Sequence, residues 1–302
     1  MRTLKLTIAY DGTNYAGWQF QPDRITVQET LEAALQRVTG ERIRVLASGR
    51  TDAGVHALGQ AVGLRTECPL PPDVLRRALN ANLPDDVAVL DVAEVADGFH
   101  PTSHVIRKRY RYVIHDGSVR DVFGRRYVWH FVHGRLDVAA MHRAAQSLRG
   151  KHDFRSFETS GAERATSVRT IFDIGVWRGR GGEGIAEPAA ANLPPGAVAH
   201  LPNPNLPSPF GRGAGGEGNV DADRAGQGTS QPHAEREEYI TIEVEADGFL
   251  YNMVRAIVGT LVQVGRGSKP ENWPGEVLSA MNRRAAGPTA PPQGLFLLWV
   301  EY

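Results

Sequence analysis

The sequence predicts an α+β protein made of two tandem ferredoxin-like (RRM-like) βαββαβ units with antiparallel sheets. Three observations carry that expectation. Residues 1–103 hold four runs of alternating apolar residues with an amphipathic helix after the first and after the third. The same order of elements returns over residues 104–302, and β-α-β-β-α-β is the order of the split βαβ arrangement. A chain of 302 residues is also long enough to bury two modest cores.

In the first unit, Leu4, Leu6, Ile8 and Tyr10 alternate with polar or small residues, the period of a half-buried strand, which Asp11-Gly12 ends. An aromatic loop, Tyr15-Ala16-Gly17-Trp18-Gln19-Phe20-Gln21, follows. Thr26 and Glu29 form a capping-box pattern before Val27, Leu31, Leu35 and Val38, with Gly40 just past the end, so a helix is expected there. Ile43, Val45 and Ala47 predict a second strand, and Gln60 to Thr66 a third. A short helix opened by prolines spans Pro71 to Ala81, and Val87 to Val95 closes the unit.

The second unit opens with a strand over Val105 to His115 and a helix over Val138 to Leu148. Val168 to Trp177 and Tyr239 to Glu245 are its central strands. Leu250, Met253, Val254, Ile257, Leu261 and Val264 stand at helical spacing, with Gly265 as the expected stop. A minor helix near Trp273 to Arg283 precedes a last strand, Leu295 to Tyr302. One segment breaks the pattern. Residues 179–236 hold 12 Gly and 8 Pro in 58 residues, above the roughly 25–30% that marks aperiodic low complexity. It reads as a disordered insertion at a hairpin tip, where extra length costs little beyond loop closure.

Composition narrows the function. Formal net charge is 0, which does not advertise a nucleic-acid binder, yet charge is unevenly spread. Arg107, Lys108, Arg109, Arg111, Arg120, Arg125 and Arg126 crowd one stretch that holds only Asp116 and Asp121 in return. Such a cluster can form a phosphate-binding face; it can also blunt an exposed strand edge. Cys68 is the sole cysteine, so there is no disulfide framework or thiolate zinc site, and a reducing cytoplasm is expected. No apolar run approaches a membrane span. Metalloprotease, P-loop and dinucleotide-binding fingerprints are missing as well, so neither a metal nor another cofactor is expected.

Between the second and third strands lies Gly49-Arg50-Thr51-Asp52-Ala53-Gly54-Val55-His56. Its two glycines suit a sharp turn and a close ligand, and between them stand one guanidinium and one carboxylate. On the strand expected over Val105 to His115, Lys108, Tyr110, Tyr112 and Ile114 share one face and Arg107, Arg109 and Arg111 the other. An aromatic beside basic residues on a sheet is a platform for an extruded base.

These stretches resemble the tRNA pseudouridine synthase family usually called TruA. The resemblance rests on Tyr10-Asp11-Gly12 with Tyr15-Ala16-Gly17-Trp18-Gln19, the Gly49–His56 motif, Arg109-Tyr110-Arg111-Tyr112, Phe249 to Gly259 and Ala290 to Leu297. It implies that Asp52 is the nucleophile, that Tyr110 contacts the target uracil and that Arg255 pairs with the carboxylate. Arg50 would intrude where the flipped nucleotide was stacked, and Leu295 would line the uracil pocket. It further implies a pseudouridine synthase fold with a cleft between two sheets and a homodimer. The substrate would be the anticodon arm of tRNA, at positions 38–40. Residues 1–103 would carry the catalytic loop, and residues 104–302 the base-contacting Tyr and the pairing Arg.

Two other classes compete. A tandem RNA-binding module without catalysis would look alike in fold, although neither half carries the aromatic signature of such modules. A glycosidase also works at an anomeric carbon, but that class ordinarily uses two opposed carboxylates, and the motif offers one.

Overall fold

The computed structural model describes residues 1–159, 166–179 and 235–302. Residues 180–234 of the expected insertion therefore lie outside the described residues. The first half runs β1 (Arg2–Tyr10), α1 (Val27–Thr39), β2 (Leu46–Ala47), β3 (His56–Thr66), α2 (Pro72–Asn80) and β4 (Val87–Val95). The second runs β5 (Arg107–His115), β6 (Trp129–His130), α3 (Val138–Ala145), β7 (Gly150–Asp153), β8 (Val168–Arg178), β9 (Tyr239–Ala246), α4 (Met253–Gly265), α5 (Trp273–Ala280) and β10 (Leu295–Glu301).

Local chemistry sets most of these boundaries. Thr26 Oγ1 accepts from the Glu29 N–H at 3.3 Å, which caps α1, a contact worth about 1 kcal/mol. Gly40, at φ 76°, ends the helix in the left-handed conformation. Helix α4 behaves differently from its sequence pattern. It runs through Gly265, which packs on Met141 and Leu136, and the left-handed residue beyond it is Gly267 at φ 73°. The second strand is much shorter than expected. Val45 has its N–H bonded to Glu32 Oε1 at 3.0 Å and its carbonyl to Gln28 Nε2 at 3.3 Å, both from α1. With Ile43 and Val45 buried and the backbone of Val45 served by helix side chains, only Leu46 and Ala47 join the sheet.

The strands form one mixed sheet in the order β4-β1-β3-β10-β5-β9-β8-β7, with β2 on β3 and β6 on β5. Within each half the four main strands run fourth, first, third, second across the sheet. A cleft between two separate sheets was the expectation, and the halves instead share a single sheet through β10. That strand runs parallel to β3 (Phe296 opposite His56, Leu297 opposite Ala57) and antiparallel to β5. The place is open because β2 covers only the far end of β3, at Val62 and Gly63. At the other side, β8 and β9 pair antiparallel and close with the Gly179 N–H on the Tyr239 carbonyl at 2.8 Å. The two strands flanking the low-complexity segment are thus hairpin partners. Strands β6 and β7, two and four residues long, are too short to leave an alternation in the sequence.

Strand β5 lies inside the sheet, between β10 and β9, so its arginines blunt no edge. They are not a phosphate-binding face either. Arg109 is bonded to Glu243 Oε2 at 2.6 Å, Glu245 Oε2 at 2.9 Å and Asp173 Oδ2 at 3.1 Å. Arg111 meets Glu243, and Arg107 meets Glu245 and Glu301. Glu243 and Glu245 stand opposite on β9 and Glu301 on β10, with Asp173 reaching in from β8 beyond β9, and the charges that looked unpaired along the chain are neutralised across the sheet. Arg120, Arg125 and Arg126 remain exposed on the loop after β5.

Candidate active site

The loop between β2 and β3 is held almost entirely through its backbone. The Ser48 N–H bonds to the Ala61 carbonyl at 2.8 Å, and Gln60 Nε2 donates to the Gly49 carbonyl at 2.8 Å. Lys108 Nζ donates to the Ser48 carbonyl at 2.5 Å. The Trp18 N–H takes the Thr51 carbonyl at 3.0 Å, and the Tyr10 hydroxyl meets Thr51 Oγ1 at 2.7 Å. Gly54 turns the chain at φ 77°. Gly49 has no unusual φ; a Cβ there would stand 3.0 Å from Lys108 Nζ, so what it provides is room for the ammonium. With the main chain pinned on three sides, the side chains of Arg50 and Asp52 are left facing the cleft.

Asp52 Oδ2 accepts from Arg255 Nη1 at 2.9 Å. Arg255 comes from the first turn of α4, and its Nε donates to the Ala290 carbonyl at 2.7 Å. Both side chains are partly shielded, Asp52 at 23% and Arg255 at 15% exposure. That is a charge pair in a half-dry setting, where attraction exceeds that of a surface pair. Tyr110 is buried, its ring edge-to-face on Phe249 at 4.9 Å. Burial above all, then the neighbouring Tyr10 and Asp52, hold its phenol well above the usual tyrosine range. Leu295, at the head of β10, is buried opposite Tyr112.

All five residues singled out from the sequence, Asp52, Tyr110, Arg50, Arg255 and Leu295, line one cleft of about 1680 Å³. A drug-sized pocket occupies about 300–1,000 Å³, so this space accommodates more than one nucleoside. Arg50 lies exposed in its wall. Asp247 is a second carboxylate in the lining, and its Oδ1 accepts from the Thr170 N–H at 3.0 Å. Among the described residues no group of three His, Cys, Asp or Glu side chains could hold a metal ion, and no helix is long and apolar enough to cross a membrane.

The sequence profile of the tRNA pseudouridine synthase family matches residues 6–102 and 144–302. The chain belongs to the tRNA pseudouridine synthase A family. It is 42% identical over 305 residues to the tRNA pseudouridine synthase A of Moorella thermoacetica and 37% over 302 residues to that of Geobacter sulfurreducens. To the enzyme of Thermoanaerobacter sp. it is 35% identical over 302 residues, and in all three cases each chain is covered in full. The activity is accordingly that of an isomerase that makes pseudouridine in tRNA. Asp52, Arg50, Arg255 and Leu295 fall inside the profile's matched segments, and Tyr110 falls between them.

Sequence reasoning overlooked three contributors to this site. Lys108 shares the face of Tyr110 and counts in the sequence only as part of the basic cluster, whereas in the structure it bonds the loop backbone at Ser48. Asn252, which bonds Arg255, was read only as part of an apolar helix. Tyr10 ends a strand and opens a motif in the sequence, with no partner in the Asp52 loop assigned to it. Tyr10 meets Thr51 forty-one positions on, and Asn252 bonds Thr159 ninety-three positions back, contacts that no local pattern records.

Proposed function

We propose that this synthase modifies the anticodon stem-loop at positions 38–40, with Asp52 as the nucleophile acting on a uridine flipped into the cleft. The observation that carries the reading is the Asp52–Arg255 pair at 2.9 Å in a cleft shared with Tyr110, Arg50 and Leu295. Asp52 attacks an electron-poor carbon of the substrate, either C1′ of the ribose or C6 of the uracil. The N1–C1′ bond breaks, the uracil turns over, and C5 joins C1′. The proton on C5 then leaves and N1 gains one, so the reaction needs no oxidant or reductant. Tyr110 contacts the uracil and helps move the C5 proton. Arg50 occupies the stack that the uridine vacates, and Leu295 packs against the base. Residues 1–103 supply the catalytic loop, and residues 104–302 supply Tyr110 and Arg255. The enzyme works as a cytoplasmic homodimer.

The test uses tRNA tritiated at C5 of its uridines. Wild-type enzyme should release tritium to water, and mapping of the product should place pseudouridine in the anticodon arm. Asp52→Asn should keep the fold and tRNA affinity while losing turnover, by on the order of 10³-fold or more. Ordinary turnover in Asp52→Asn would falsify the nucleophile assignment. A binding module would release no tritium, and a hydrolase would liberate free uracil.

A further inference from the structure

Asn252 stands immediately before α4 with φ 60° and ψ 9°. Asparagine is one of the few residues besides glycine that visit this left-handed region readily. A residue in that place ordinarily turns its side chain onto the helix's own N–H groups, and Asn252 makes no such bond. Its amide serves two other groups. Oδ1 accepts from Arg255 Nη1 at 2.7 Å, and Nδ2 donates to Thr159 Oγ1 at 3.2 Å. The donor and acceptor ends of an amide are not interchangeable, and Arg255 can only donate. The oxygen must therefore face the guanidinium, which leaves the nitrogen for Thr159. Thr159 is itself tied down, its N–H bonded to the Tyr251 carbonyl at 3.1 Å.

The guanidinium nitrogen that Asn252 holds is the same one that donates to Asp52. Arginine carries a long and rotamer-rich stem. Here Ala290 fixes it at Nε and Asn252 fixes it at Nη1, which leaves one direction for the bond to Asp52. We propose that Asn252 is a positioning residue that aims Arg255 at Asp52, and that Thr159 in turn fixes the amide of Asn252. The proposal rests on the reading of Asp52 as nucleophile.

The experiment measures single-turnover tritium release, tRNA affinity and Tm for Asn252→Gly, Thr159→Val, the double variant and Asp52→Asn. Glycine adopts the φ of Asn252 without strain, so Asn252→Gly removes the amide and spares the backbone. Its single-turnover rate should fall roughly ten- to a hundredfold, the range expected for losing a hydrogen bond to a charged group, with tRNA affinity unchanged. Thr159→Val should slow the reaction less, and the double variant should be no slower than Asn252→Gly, because both act through one contact. Wild-type rates in Asn252→Gly, a loss of affinity in step with rate, or additive effects in the double variant would each overturn the proposal. If Asn252→Gly fails to fold, Thr159→Val decides: a slower reaction at unchanged tRNA affinity supports the proposal, and a wild-type rate overturns it. Normal turnover in Asp52→Asn would instead overturn the nucleophile reading beneath it.

Discussion

Both faces of β5 carry basic residues and do opposite things with them. On one face Arg107, Arg109 and Arg111 are cancelled by Glu243, Glu245 and Glu301 from the adjoining strands and by Asp173 from the next one over. On the other, Lys108 reaches the backbone of the Asp52 loop, Tyr110 lines the cleft, and Tyr112 and Ile114 enter the core. Charge on the first face joins strands; charge on the second orders a loop. A basic run in a strand is therefore uninformative about nucleic acid until its cross-strand neighbours are known. The exposed guanidinium of Arg50 and the loop arginines after β5 are better placed for phosphate than those of the ladder.

Three experiments would break or sharpen this contrast. The largest effect on catalysis is expected from the cleft face: Tyr110→Phe should slow tritium release by about 10²–10⁴-fold, the usual worth of a proton-transferring side chain, at nearly unchanged Tm. Equal rates for the two enzymes would return Tyr110 to the core as a packing residue. Next comes the ladder face. Arg109→Met leaves carboxylates buried without their partner and should cost about 3–5 kcal/mol of stability, read from urea unfolding. Turnover per folded molecule should stay at the wild-type level. A stable but inactive Arg109→Met would show that the ladder takes part in chemistry after all.

The smallest effect is expected at alkaline pH. Burial raises the phenol of Tyr10 to about 12, above the 10 or so of an unfolded chain. The unfolded state then releases its proton first. The stabilisation is complete below about pH 10 and is lost as pH climbs toward 12. Tyr10→Phe should flatten the fall of Tm across that window, whereas Arg109→Met should leave its slope alone. An unchanged slope in Tyr10→Phe would mean that another group governs alkaline unfolding.

Elements with a local signature were legible in the sequence. The capping box of α1, the alternation of β1 and β4, and the apolar stripe of α4 each lie within one short stretch of neighbouring residues. The five candidate residues are named by motifs, and the structure brings them to one cleft. What escaped depends on distant partners. Glu32 and Gln28 shorten β2 from across a helix, and Asn252 acts on a guanidinium shared with a loop some two hundred residues earlier. The ladder left a faint trace, since Glu243 and Glu245 alternate on β9 with the same period as the arginines of β5. Only the register turns that coincidence into a pairing.

The position of β10 has a consequence for how the enzyme comes into being. A ribosome emits β3 and β5 long before residues 295–301, yet among the described residues it is that strand which lies between the two in the sheet and pairs with both. Until they emerge, each half can build its own hairpins and helices, but no strand ties the Asp52 loop to the start of β5. A nascent chain stalled before Leu295 would own Asp52, Tyr110 and Arg255 and lack the strand that joins their two halves in one sheet. Competence to modify RNA would then arrive late and all at once, with translation of a single seven-residue strand.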